Sequence, residues 1–225
     1  MNDAFDVLQE YFAHHDDLSY AHGGSYKKTA MGQFVPSPLR HIRAALDYLV
    51  KIGVVNSSGL FLDAGCGDGR IVALTAFIYK IPSIGVEYDI ELALQSEQHL
   101  SYLKQLGLMG APVEIIRGDF VQDLTYRKAD RNFEDFTIVF NYINNEQSIA
   151  EKIAAQSLGA TKFLLFGAFP VPEYVGLPLQ HNLELVPGKK SDGGVLVKPR
   201  PVDQDYDIDP DSTYMQVYAR AGKST

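Results

Sequence analysis

Between Ser58 and about Phe169 the chain alternates short, almost wholly apolar runs with longer segments of helical period. The apolar runs Leu60 to Ala64, Ile84 to Tyr88, Val113 to Arg117, Phe136 to Asn141 and Lys162 to Phe169 predict strands. Strands that are apolar on both sides are covered on both faces, the situation of a parallel sheet flanked by helices. The intervening segments Arg70 to Lys80, Ile90 to Leu106 and Gln147 to Leu158 predict those helices. Pro82 closes the first, and Gly107 and Gly159 stand where a helix ends in a left-handed residue. This alternation predicts an α/β, doubly wound, mostly parallel sheet.

After Phe169 the alternation stops. Asn182 to Val186, Gly194 to Val197 and Tyr214 to Arg220 read as strands with no helix between them, so they must pair antiparallel to a neighbour or return through long loops. The N-terminal segment differs again. Phe5, Leu8, Phe12 and Leu18 fall at helical spacing in residues 1–20, which carry five acidic side chains and no Lys or Arg. Gly23 and Gly24 follow, then a basic stretch with Lys27, Lys28, Arg40 and Arg43. This segment is either an amphipathic helix packed on the domain or a lid hinged at the double glycine. The expected division is therefore 1–33 as a helical extension or lid and 34–225 as the main domain.

Composition narrows the functional classes. The 225 residues are 46% hydrophobic and 21% charged, which suits a folded globule. Lys and Arg total 20 against 28 Asp and Glu, a net charge of −8 that argues against general binding to nucleic acid. Cys66 is the single cysteine, so neither an intrachain disulfide nor an all-cysteine metal site can form. The longest apolar runs are too short to span a bilayer, and acidic residues stand where a signal peptide would be basic. A cytoplasmic location is expected.

The informative segment is Leu60-Phe-Leu-Asp-Ala-Gly-Cys-Gly-Asp-Gly-Arg70, a buried strand that runs into glycines at 65, 67 and 69 and then a helix. Glycines at that place let the backbone turn tightly and let a ligand approach the crevice beyond the strand ends. The dinucleotide fingerprint G-x-G-x-x-G would need glycine where Arg70 stands, which disfavours NAD and FAD. Asp63 at the strand end suits an ammonium or sulfonium group better than a pyrophosphate. Glu87, 18 residues after Gly69, ends the second strand, where a carboxylate can accept from a ribose diol. Asp119, in Arg117-Gly-Asp-Phe120, ends the third and could accept from an adenine amino group.

In this order, Asp63-Ala-Gly-Cys-Gly-Asp-Gly69, Glu87 and Gly118-Asp-Phe120 resemble the successive motifs of the class I, seven-strand methyltransferases that use S-adenosylmethionine (SAM). The resemblance implies a Rossmann-like fold with an antiparallel last strand. It implies that Asp63, Gly65, Cys66, Gly67 and Gly69 form the loop under the methionine part of SAM. Glu87 with Tyr88 would serve the ribose, and Asp119 with Phe120 the adenine. Cys66, between two glycines and without a base nearby, reads as a small buried filler. A narrower likeness lies in Phe34-Val-Pro-Ser-Pro-Leu39, Gly67-Asp-Gly-Arg-Ile-Val72, Gly85-Val-Glu87 and Phe169-Pro-Val-Pro172, which are similar to the small protein-lysine methyltransferases of archaea and mitochondria. The chain departs from some of these in having Asn141-Tyr-Ile-Asn-Asn145 after the fourth strand, where they carry an aromatic-leucine-proline stretch.

Methyl transfer from a sulfonium is an in-line displacement, so the protein has to align a nucleophile and exclude water. Tyr142 as a wall, with Asn141 or Asn144 as orienting groups, are the catalytic candidates; Asn144 or Asn145 could instead cap the next helix. The stretch has no proline, which separates it from the DNA adenine methyltransferases and their flipped-base motif. The alternating aspartates Asp203 to Asp211 lack the glycine and glutamate of a calcium loop and read as a solvated acidic loop. His14-His-Asp-Asp17 has no supporting metal partner, and no metal is expected. The expected acceptor is a protein lysine amine; a small molecule, or a SAM-binding partner protein without catalysis, are the alternatives.

Overall fold

The computed structural model describes residues 3–21, 27–30, 32–157, 159, 161–167, 171–188, 194–202 and 212–220. The double glycine at 23 and 24, Phe169-Pro170 and the aspartate run from Asp203 to Asp211 lie outside them. The chain runs α1 (Ala4–Ala21), β1 (Lys27–Thr29), β2 (Gly32–Phe34), α2 (Leu39–Lys51), β3 (Phe61–Ala64), α3 (Arg70–Ala73), β4 (Ser83–Glu87), α4 (Ile90–Gln105) and β5 (Val113–Arg117). It continues through α5 (Asp123–Arg127), β6 (Ile138–Asn141), α6 (Glu146–Gln156), β7 (Lys162–Phe166), β8 (Leu179–Pro187), β9 (Val195–Arg200) and β10 (Thr213–Ala219).

Eight strands form one sheet in the order β5-β4-β3-β6-β7-β10-β8-β9. The five strands expected from the alternating region pair in parallel, and β10 inserts antiparallel between β7 and β8. β9 adds a second antiparallel strand at the edge beyond β8. The order reverses between β3 and β6, whose carboxyl ends therefore diverge into a crevice.

Side chains alternate between two buried layers along each central strand. Phe61, Ile138, Phe140, Leu164 and Phe166 face one core with α1, α2 and α4; Leu62, Val139, Phe163 and Leu165 face the other with α5 and α6. Asp63 follows the parity of Phe61, and its carboxylate falls on the α1–α2 side of the sheet.

Three features depart from what the sequence pattern predicts. The basic stretch runs into α2, whose Leu39, Ile42, Ala45, Leu46 and Leu49 form a buried stripe beside β8 and β9. Each large member of that stripe contributes about 1.5–3 kcal/mol of burial. The short strands β1 and β2 pair antiparallel, with Lys27 opposite Phe34, so a division after residue 33 cuts through a hairpin. The helix expected over Arg70 to Lys80 widens into a π turn at Leu74–Ile78. There the buried Thr75 hydroxyl bonds back to the carbonyls of Ile71 and Val72, an arrangement that distorts helices.

Phe5, Leu8 and Phe12 of α1 are buried as their spacing predicted, while Leu18 is exposed. Tyr11 stacks on Tyr102 and Phe12 packs edge-on to His99, both of α4. Among the described residues no helix is long and apolar enough to cross a membrane, and none of their His, Cys, Asp and Glu side chains form a metal-binding group.

Candidate active site

A cavity of about 370 Å³ opens at the carboxyl ends of β3, β4 and β6, where the sheet order reverses. Its floor is the glycine loop after β3, its far wall the turn after β6, and its roof the β1–β2 hairpin. Gly67 sits in the left-handed region at φ 54°, directly under the Phe34 ring; a Cβ there would stand 2.4 Å from the ring edge. Glycine is needed at 67 on both counts.

Asp63 is 2% exposed and lines the cavity. Its Oδ2 is buried and, among the described residues, has no hydrogen-bond partner. Burial pushes its carboxyl well above the ordinary range, and the nearby Glu87 and Asp68 push it the same way. Glu87 is also buried but well held: Oε2 accepts from the Gly67 amide at 2.9 Å and Oε1 from the Asp89 amide at 2.8 Å. Burial raises its pKa and those amides oppose the rise.

The third carboxylate, Asp68, is neutralised internally. Arg70 Nε and Nη2 grip it at 2.7–3.1 Å, and the same guanidinium reaches Asp16 of α1 at 2.7 and 3.1 Å and the Ser37 carbonyl at 3.4 Å. The residue that breaks the dinucleotide fingerprint thus bolts α1 and the segment before α2 to the glycine loop. Two carboxylates, those of Asp63 and Glu87, line the cavity with no ion pair to a cation among the described residues.

Of the sequence candidates, Asp63, Gly65, Cys66, Gly67, Glu87, Tyr142 and Asn144 line the cavity; Gly69, Tyr88, Asp119, Phe120 and Asn141 do not. Tyr88 is exposed beside Glu87. Asp119 accepts from the Val121 amide at 2.9 Å, within its own turn. Phe120 is buried with its ring edge toward Gly65. Asn141 is wholly buried and bonded only to main chain, so it cannot itself touch an acceptor as expected of an orienting group. Tyr142 packs edge-on against Phe166 at 5.1 Å, and Asn145 occupies the N-cap of α6 without a side-chain cap bond. The Cys66 thiol is pushed up by burial and by the neighbouring carboxylates, which makes it a poor nucleophile.

Sequence reasoning missed Thr29 and Gln33 of the hairpin, and Phe140 and Ile143 on the opposite wall. Gly32 was a turn signal for the hairpin, but its strands of three residues are too short to show alternation. His15 and Asp16, weighed as metal ligands, instead pack on His99 and pair with Arg70.

The strand order, the reversal beside β3 and the antiparallel β10 define the class I methyltransferase fold. Neither protein-family profiles nor curated sequences provide a relative of the chain. Solved structures do share its fold. Precorrin 8w decarboxylase from Methanobacterium thermoautotrophicum is 16% identical with a TM-score of 0.53, over 83% of this chain and 94% of the other. A variant of MtNAS in complex with S-adenosylmethionine is 13% identical with a TM-score of 0.52, over 81% and 63%. The Bacillus subtilis tRNA methyltransferase TrmK is 10% identical with a TM-score of 0.50, over 84% and 68%.

Proposed function

We propose that the chain is a methyltransferase that takes its methyl group from S-adenosylmethionine. The observation that carries the reading is the buried carboxylate of Asp63, a residue that lines the cavity and whose Oδ2 has no hydrogen-bond partner among the described residues. A carboxylate so placed costs stability until a cation reaches it, and the ammonium and sulfonium of SAM supply cationic character. Glu87 is the candidate for the ribose, and at Gly65 of the glycine loop nothing lies nearer than 3.9 Å to where a Cβ would stand, which leaves room for close approach of the ligand. The presence of SAM in the MtNAS structure agrees with this fit.

The cofactor brings an electrophilic methyl group. The chain's residues supply alignment and exclusion of water. Phe34, Phe140 and Tyr142 wall the cavity with apolar surface, while Gln33 and Asn144 add neutral hydrogen-bonding groups to its lining. A neutral lysine amine suits such a lining, because apolar walls favour the uncharged form that can attack. We therefore propose a protein lysine as acceptor. The small-molecule alternative draws support from the precorrin-named neighbour. Tyr88, Asp119 and Phe120 are proposed to serve the adenosine end from outside the cavity.

Thermal unfolding with S-adenosylhomocysteine tests the cofactor: a rise in Tm is expected, and no shift would refute the reading. Affinity unchanged in Glu87→Ala would remove the ribose assignment. Labelled SAM incubated with the protein and a cell extract, followed by hydrolysis to amino acids, identifies the acceptor. Methyllysine supports the first reading, label in small molecules the second, and label nowhere a binding protein without catalysis.

A further inference from the structure

Asn141 ends β6 and spends its whole carboxamide on main chain. Nδ2 donates to the Ala64 carbonyl at 2.7 Å and the Asn144 carbonyl at 3.0 Å; Oδ1 accepts from the Asn144 amide at 3.0 Å. Ala64 immediately precedes the glycine loop. One side chain therefore ties the cofactor end of β3 to the turn that carries Tyr142 and Asn144 into the cavity.

That turn is not relaxed backbone. Ile143 has φ 31° and Asn145 φ 54°. A β-branched residue in the left-handed region is a conformational outlier that persists only where the surroundings impose it. The two bonds from Asn141 to Asn144 close the turn around Tyr142 and Ile143 and impose it here. The chain of contacts extends one step further. A Cβ on Gly32 would lie 2.5 Å from Asn144 Oδ1, so the hairpin over the cavity rests directly on that carboxamide.

We propose that Asn141 is a positioning residue: it sets the Tyr142–Asn144 turn, and through Asn144 the β1–β2 hairpin, in register with the glycine loop, so that acceptor and methyl donor meet in line. The inference rests on the methyl-transfer reading for its consequence and on geometry for its mechanism, and the two separate experimentally.

The variants are Asn141→Ala, Asn141→Asp and Gly32→Ala, the last striking the same contacts from the hairpin side. S-adenosylhomocysteine is the binding probe, label passed from SAM to a cell extract measures turnover, and hydrogen exchange reports on the turn and hairpin. Asn141→Ala is expected to keep its affinity for S-adenosylhomocysteine. Transfer should slow by about 10²-fold, the loss that a misplacement of about 1 Å brings. Exchange should quicken at residues 143–145 and in the hairpin. Gly32→Ala should show the same pattern.

Asn141→Asp carries the distinguishing signature. Ionised, it presents oxygen to the Ala64 and Asn144 carbonyls; protonated, it regains one donor. Its activity should therefore recover as pH falls, a limb that the wild type lacks. Transfer at the wild-type rate in Asn141→Ala, or unchanged exchange at 143–145, would overturn the proposal. So would loss of affinity and stability in step with activity, with no pH response in Asn141→Asp. If the wild type labels nothing, the methyl-transfer reading fails, and the exchange result still decides the role of Asn141.

Discussion

Replacing Asp63 by Asn should move stability and cofactor affinity in opposite directions. Asp63 is 2% exposed, its Oδ2 has no partner among the described residues, and Glu87 and Asp68 add negative charge around it. A buried polar group left unpaired costs about 1–3 kcal/mol, more when charged, and a neutral amide avoids the charge penalty. Asp63→Asn should therefore stabilise the ligand-free protein by about 1–2 kcal/mol. For a chain of 225 residues each kcal/mol shifts Tm by about 2–4 °C, so a gain of several degrees is expected. With the carboxylate gone, a charge-assisted bond to the ligand's ammonium is lost. Such bonds contribute about 1.5–3 kcal/mol, or roughly 10- to 150-fold in the dissociation constant of S-adenosylhomocysteine.

The pH dependence has a definite sign. The folded protein raises the Asp63 pKa, so it retains a proton that the unfolded chain has released. The contribution of Asp63 is fully present below the ordinary carboxylate value and is lost as pH rises through the folded value. Denaturant unfolding across pH should show that decline in the wild type and a flatter profile in Asp63→Asn. A lower Tm in the variant, or unchanged affinity by titration calorimetry, would refute the assignment of Asp63 as an unsatisfied cation site.

Other substitutions probe the frame around the site. Gly67→Ala places a Cβ 2.4 Å from Phe34 at a φ of 54°; it should cost about 1–2 kcal/mol from the backbone alone and weaken S-adenosylhomocysteine binding as the ring is displaced, both readable by thermal shift. Arg70→Met strands Asp68, which is 3% exposed, and should lower stability by about 3–5 kcal/mol in urea unfolding, whereas Asp16→Asn, at the more exposed end of the same bridge, should cost less. His99 has its pKa lowered, first by burial, with His15 and Arg70 acting in the same sense against Asp68. Its contribution to stability is therefore present above about 6.5 and falls away as pH drops below that value. His99→Gln should flatten that acid limb in a pH series of Tm.

The central sheet was legible because strands buried on both faces leave unbroken apolar runs, and each of the five runs became a parallel strand. The glycine loop and the acids at the strand tips were legible for a similar reason: tight turns and ligand approach restrict residue type locally. What escaped depended on partners distant in sequence. Leu39, Ile42, Leu46 and Leu49 repeat at helical spacing, but Arg40 and Arg43 between them drew the reading toward charge. The hairpin takes its form from Phe34 over Gly67 and Gly32 against Asn144, contacts that no local pattern encodes. Asn141 opens the stretch Asn141-Tyr-Ile-Asn-Asn145 and reads as a substrate group. Only the register of β6 against β3 brings its carboxamide to the Ala64 carbonyl.

The grip of Arg70 on Asp16 spans 54 residues. During synthesis α1 emerges well before the guanidinium that holds it, and before His99 and Tyr102, on which its aromatic side chains pack. Its apolar stripe of Phe5, Leu8 and Phe12 lacks these partners until β3, β4 and most of α4 have been made. An order of assembly that reverses the order of the chain is therefore expected, with the N-terminal helix closing onto the glycine loop once Arg70, His99 and Tyr102 are in place. A nascent chain arrested before residue 70 should expose α1 to proteases, and one extended past residue 102 should protect it.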